Sequence, residues 1–419
     1  MRRLAAAGCL VALCACGVGA AQSRAGQVTV RVAPSTSLED QAIRITATGL
    51  RGRQKVTLRL RSSDAKGVDW TSSAAFRADS HGTLDLRRAG AISGSYTGAW
   101  RMGLIASMRP ATADPGRLYF WNGSQPLRFT VSLTAGGRTL ATTTFRRRLS
   151  RSRVGSSDQT LQGAGFVGTF FTPAGTVKKT TVLAFGGSEG GLSTYLLGAL
   201  LAARGYPTLA LAYFDEPGLP RTLQSIPLEY FAKALAWLRA QPGVDPSHVV
   251  TLGISRGSEA ALLLGVHYPK LVQAVVASVP SNVSLCGITT AARCAGPAWT
   301  LAGKPLPYTR QFDNPAPTDD PAAVIPVEIA GPVFLDCAGK DEVWSSCAYA
   351  RAVIARLEAH HAGYRHVLYT SPRAGHLSGG LIPDEPGSAA SDPTFVADAQ
   401  ARERLWPRLL RFLKVSGHP

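Results

Sequence analysis

The chain has 419 residues, 45% of them hydrophobic and 17% charged, which is long for one domain, suits two, and is too apolar for a chain without packed cores. The formal net charge of +18 is spread over the whole length, with Arg far outnumbering Lys. It reads as compositional bias and does not mark a nucleic-acid-binding protein.

Met1-Arg2-Arg3, the apolar stretch Leu4 to Leu13 and the small residues that follow have the three regions of an export signal, read here as residues 1–21. Leu13-Cys14-Ala15-Cys16 resembles a bacterial lipobox, in which Cys16 would carry a lipid anchor; ordinary cleavage after Ala20 or Ala21 is the alternative. No later stretch offers about 18 consecutive apolar residues, so the mature protein is expected to be periplasmic or secreted and not integral to a membrane.

Residues 26–148 are expected to form an all-β, immunoglobulin-like sandwich. Runs beginning at Val28, Ile43, Lys55, Gly82 and Leu127 have a period close to two and are separated by turn residues. His81, in Asp79-Ser80-His81-Gly82, reads as a turn residue. The dense run Arg146 to Arg153 reads as a solvated linker, with a cradle for an anionic ligand as the alternative.

Residues 149–417 alternate apolar strand-like runs with helical patterns. Strands are expected from Thr180 to Phe185, at Thr208, Val249, Ala274, Val333 and His366. Helices are expected after Thr194, on the Leu228, Phe231, Leu235, Leu238 face, from Ala348 to His361, and near Ala397 to Leu413. Such βαβ alternation means a mostly parallel sheet covered on both faces. The Pro-rich excursion 281–331 leaves this pattern and is expected to be a cap. Trp299, Leu301, Leu306 and Tyr308 would line a substrate pocket there, unless they pack on the body of the domain.

Val249 to Leu252 runs into Gly253-Ile254-Ser255-Arg256-Gly257 and then a helical Ser258 to Leu264. Glycines two before and two after the serine permit the tight strand-to-helix turn that exposes a nucleophilic Oγ in α/β-hydrolases. That fold supplies Ser, then Asp or Glu, then His. Here Asp341, in Gly339-Lys340-Asp341, and His376, in Ala374-Gly375-His376, each follow an expected strand. Asp336 and Glu342 are rival acids; His360, His361 and His366 are rival bases. The oxyanion donors are expected from Arg256 and from Gly187 or Ser188 in the loop Gly186 to Gly191. That loop lacks the Gly-Lys-Ser/Thr of a P-loop and the spacing of a dinucleotide site. Four cysteines remain outside the leader, and Cys286 with Cys294 and Cys337 with Cys347 are the simplest pairs for an oxidising compartment. No cysteine or histidine spacing supports a metal, and no cofactor is expected.

Ala210 to Phe214, Ile226 to Phe231, Trp237-Leu238, the pentapeptide around Ser255, Gly339-Lys340-Asp341 and Ala374-Gly375-His376 closely resemble the acyl-CoA thioesterase and bile acid-CoA:amino acid N-acyltransferase family. Gly49-Leu50, Asp69 to Ser72, Gly94-Ser95-Tyr96 and Met102-Gly103-Leu104 carry the resemblance into the first domain. It implies Ser255 as nucleophile, Asp341 as acid and His376 as base. They would act on an acyl thioester through an acyl-enzyme, releasing the fatty acid and a thiol such as CoA. The transferase branch typically carries cysteine at the nucleophile, so a serine implies hydrolysis. The export signal and the absence of a double proline after His376 set this chain apart. An exported carboxylesterase, or an acyl transferase of the same fold, is the alternative; a secreted binding module is the rival class.

Overall fold

In the strand Lys55–Ser63, Val56, Leu58 and Leu60 are buried while Lys55, Arg59 and Arg61 are exposed, so period two decides the inner face. The computed structural model describes residues 27–416 except 112–118, 122, 124, 151–152, 292, 361–362, 384–385 and 387–393. The expected leader 1–21, with Cys16, and the rival His361 lie outside the described residues. One sheet of the sandwich joins Thr29–Ala33, Arg44–Thr48 and Leu84–Asp85. The larger one runs in the order Thr36–Leu38, Arg138–Arg148, Leu127–Ala135, Lys55–Ser63, Asp69–Arg77, Ser93–Gly94. Between them lie Leu58, Leu60, Trp70, Phe129, Val131 and Phe145. His81 sits in the turn expected of it, where the Asp79 carboxylate accepts the His81 and Thr83 N–H groups at 2.9 and 2.8 Å.

The basic run is not a solvated linker. Arg146, Arg147 and Arg148 complete the strand Arg138–Arg148. Arg147 points inward, fully buried, and its guanidinium donates to the carbonyl oxygens of Leu38, Glu39 and Gln41. Arg151 and Ser152 of the run lie outside the described residues.

The second lobe is an eight-stranded sheet in the order Gly155–Gln159, Val167–Thr172, Thr208–Ala212, Thr181–Phe185, Val249–Ile254, Ala274–Ser278, Val333–Ala338, Val367–Ser371. The first two strands are antiparallel to their neighbours and the rest are parallel. The five inner strands are apolar and buried along nearly their whole length, as a sheet covered on both faces requires. Leu228–Arg239, Arg256–His267 and Ser346–His360 cover one face; Tyr195–Ala203 and Phe395–Val415 cover the other. Asp40 ties the lobes, accepting from Arg204 and from Trp406 Nε1. Among the described residues no helix is long and apolar enough to cross a membrane.

The excursion 281–331 departs from its expected form. It contains short strands at Cys286–Ile288, Cys294–Pro297, Trp299–Leu301 and Lys304–Pro305, and Trp299–Leu301 pairs in parallel with Ile226–Pro227. Leu301 and Leu306 pack on the main core of the hydrolase lobe. Disulfides join Cys286 to Cys294 and Cys337 to Cys347.

Candidate active site

Ser255 stands between the strand Val249–Ile254 and the helix Arg256–His267 at φ 54°, ψ −122°, a backbone conformation that disfavours any side chain. The surroundings enforce it. The Ser255 N–H donates to the Ser278 carbonyl at 3.0 Å, and its own carbonyl accepts from the Ser258 N–H at 2.8 Å. A β-carbon on Gly253 would collide with the Gly257 backbone, and one on Gly257 with the Gly186 carbonyl oxygen.

The strand ends bring Ser255, His376 and Asp341 together. His376 Nε2 lies 2.9 Å from Ser255 Oγ, and its Nδ1 lies 2.9 and 3.0 Å from the two Asp341 oxygens. With Nδ1–H given to Asp341, Nε2 is left as the acceptor of the serine proton. Asp341 also accepts the N–H groups of Val343 and Trp344, at 3.0 and 3.3 Å, which fix its rotamer. The Trp344 ring stands edge-on to the imidazole with centroids 5.0 Å apart, and its Nε1 is tethered to the Val279 carbonyl. Trp344 thus walls one side of the histidine, a contact that only the folded turn reveals.

The rival acids are placed elsewhere. Asp336 is buried against Ser278, and Glu342 reaches the backbone N–H of His376 at 3.3 Å, not its ring. Of the rival bases, His360 lies 4.0 Å from Glu328.

In the glycine loop, the Tyr213 hydroxyl sits 2.9 and 3.1 Å from the carbonyl oxygens of Gly186 and Gly187, holding them inward; burial raises the Tyr213 pKa well above its ordinary value. A β-carbon on Gly187 would come within 2.7 Å of Ser255 Cβ, so this backbone lies directly against the serine. The Gly187 N–H donates to the Glu189 carboxylate at 2.9 Å, while Ser188 is exposed. Glu189 was not foreseen from sequence: a glutamate among glycines has no local signature.

Arg256 contributes more than its backbone. Its side chain is buried beneath the elbow, where Nε donates to Glu259 at 2.6 Å and the two Nη atoms donate to the carbonyls of Cys286 and Leu285 at 3.0 Å each. Glu259 accepts in addition from the Leu285 N–H at 3.1 Å and from Trp299 Nε1 at 2.8 Å. Burial pushes the Glu259 carboxyl up, and the Arg256 guanidinium beside it opposes that shift. Trp299 is therefore not a pocket wall. It is 1% exposed, with its ring against Tyr213 and Phe231 and its N–H committed to Glu259. Tyr308 is half-buried on the same excursion.

A family model described as the acyl-CoA thioester hydrolase/BAAT N-terminal region matches residues 40–158, and its C-terminal counterpart matches residues 226–383. Acyl-coenzyme A thioesterase 1 of Rattus norvegicus is 31% identical over 369 residues, covering 84% of this chain and 85% of that protein. The mitochondrial acyl-coenzyme A thioesterase 2 of the same species is 32% identical over 360 residues, covering 82% and 77%. Acyl-coenzyme A thioesterase 1 of Homo sapiens is 30% identical over 354 residues, covering 80% and 82%. With the likeness running through both the sandwich and the sheet that carries Ser255, the chain is an enzyme belonging to the acyl-CoA thioester hydrolase/BAAT family.

Proposed function

We propose that this protein is an exported serine thioesterase, with residues 26–148 as a sandwich domain and 149–417 as the catalytic domain. The hydrogen-bonded chain Ser255–His376–Asp341 carries the reading. His376 Nε2 takes the proton as Ser255 Oγ attacks the thioester carbonyl, and Asp341 holds the imidazolium that forms. The negative charge on the carbonyl oxygen meets the backbone N–H of Arg256 and that of Gly187 or Ser188. Collapse of the tetrahedral intermediate breaks the carbon–sulfur bond, His376 returns its proton to the departing sulfur, and the acyl group stays on Ser255. Water, deprotonated by His376, then attacks the acyl-enzyme and releases the carboxylic acid. Glu189 must turn aside before the Gly187 N–H is free for this work.

A Ser255→Ala variant should lose acyl-CoA turnover by at least about 10³-fold, and a fluorophosphonate probe should label only the parent. Labelling of the variant would remove the assignment. The two disulfides and the expected leader, ending either before a lipidated Cys16 or at Ala20 or Ala21, support an oxidising destination. CoA is scarce there, which favours a second reading in which the natural substrate is an oxygen ester or another thiol's ester. The ratio of kcat/KM for acyl-CoA to that for a p-nitrophenyl ester of equal chain length separates the two.

A further inference from the structure

The outer face of the larger sandwich sheet has a composition that its own packing does not explain. Cations alternate outward with the buried core residues: Arg59 and Arg61 on Lys55–Ser63, Arg128 on Leu127–Ala135 and Arg146 on Arg138–Arg148, all exposed. Register sets Arg146 directly opposite Arg128, and Lys55 directly opposite Arg77. Like charges so placed destabilise a sheet unless an anion is shared between them.

The chain offsets this charge only in part. Arg138–Arg148, Leu127–Ala135 and Lys55–Ser63 contain no acidic residue, and the one acid on the neighbouring strand, Asp69, lines the same depression as Arg59, Arg61 and Arg128 with its carboxylate accepting from the Ser63 hydroxyl, which leaves three guanidinium groups to one carboxylate. No ion pair among the described residues engages Arg59, Arg61, Arg128 or Arg146. The positions between them are hydroxyls, Thr71 and Thr130, and these share one shallow depression with Arg59, Arg61 and Arg128. At ordinary strand spacing the face measures roughly 15 by 20 Å.

We propose that this face docks the protein on an anionic phospholipid bilayer. A flat array of guanidinium groups matches a flat array of phosphates, each of which it can bind bidentately. Nucleic acid fits less well. The face offers no helix or ribbon to enter a groove, and Trp70 on its strand Asp69–Arg77 points the other way, into the core, and so cannot stack a base.

The test is co-sedimentation of the full chain, carrying Cys16→Ala to exclude a lipid anchor, with 3:1 phosphatidylcholine:phosphatidylglycerol vesicles and with phosphatidylcholine alone. Binding should need phosphatidylglycerol and weaken from 50 to 300 mM salt. The triple variant Arg59→Thr, Arg61→Thr, Arg128→Thr should lower partitioning by about a hundredfold, at roughly fivefold per charge. A triple with the same charge loss elsewhere, Arg351→Gln, Arg404→Gln, Arg411→Gln, should lower it by less than about fivefold. Equal losses in the two triples, equal binding to both vesicle types, or capture by duplex DNA through these arginines without vesicle binding would each overturn the proposal. Should the first triple fail to fold by circular dichroism, the single Arg61→Glu must still weaken vesicle binding.

Discussion

Replacing Asp336 by Asn should make the protein more stable as the pH rises, by an amount fixed by where this carboxyl lies. Asp336 belongs to the strand Val333–Ala338 and is 2% exposed. Its Oδ1 is 3.0 Å from Ser278 Oγ, which is also 3.1 Å from the Gly379 carbonyl; its Oδ2 has no hydrogen-bond partner among the described residues. Ser278 has one hydrogen. If that hydrogen goes to Gly379, the remaining contact requires Asp336 to donate, and so to be protonated. Burial pushes its pKa up to about 8 from 3.8, against hydrogen bonds from Ser278 and Val279. Between these two values the folded state holds a proton that the unfolded chain has released. Stability from this group is therefore full below about pH 4 and falls as pH rises towards 8, at roughly 1.4 kcal/mol per unit. Asn keeps the shape and the donor but does not titrate. From pH 5 to pH 7 the variant's advantage over the parent should grow by roughly 3 kcal/mol. Urea unfolding at pH 5, 6 and 7 with the disulfides intact measures it. A difference that stays constant over that range would mean that Asp336 is ionised in the fold, and the proton assignment would be wrong.

Asp341→Asn should leave the fold intact and lower kcat by about 10³–10⁴-fold, because the amide can donate to His376 Nδ1 and hold the wrong tautomer, and no longer carries the charge that stabilises the imidazolium; steady-state turnover beside a circular dichroism spectrum checks this. Glu189→Gln removes a charge that competes with the developing oxyanion for the Gly187 N–H, so kcat/KM should rise, on the order of fivefold; a fall would assign Glu189 to holding the loop. Trp299→Ala should cost about 3–5 kcal/mol in urea unfolding, and among variants that stay folded should leave the ratio of long-chain to short-chain turnover unchanged. A changed ratio would return Trp299 to the pocket.

The hydrolase sheet was legible where its strands are buried on both faces. Thr181–Phe185 and Val249–Ile254 are apolar but for one threonine each and buried along nearly their whole length, and no other element suits such runs at that length. The edge was not legible. Gly155–Gln159 is Gly-Ser-Ser-Asp-Gln, which has no strand preference of its own and is held extended by its pairing with Val167–Thr172. Arg147 was misread for a related reason. Five basic residues within eight positions look like solvated chain, yet alternation in a strand turns every second one inward, and the carbonyls of Leu38, Glu39 and Gln41 were waiting there to accept.

The order Ser255, Asp341, His376 could be read because each residue follows a strand that the sequence marks. What surrounds them could not, because it depends on contacts across tens of residues. Glu259 shows why. Four positions after the serine, on the inward face of an apolar helix, a carboxylate must find donors or leave the interior. It finds Arg256 one turn back, which sequence spacing allows, but also the Leu285 N–H and Trp299 Nε1 from the excursion, which spacing does not announce. That one demand draws Trp299 into the core and fixes the excursion beside the elbow. Arg256 meanwhile spans Leu285 and Cys286 with its two Nη atoms. The residue proposed to supply its backbone N–H to the oxyanion is thus clamped through its own side chain, so the proposed oxyanion site and the packing of the excursion depend on the same contacts. Removing Trp299 would disturb both through Glu259, whereas a true pocket wall would disturb only the substrate.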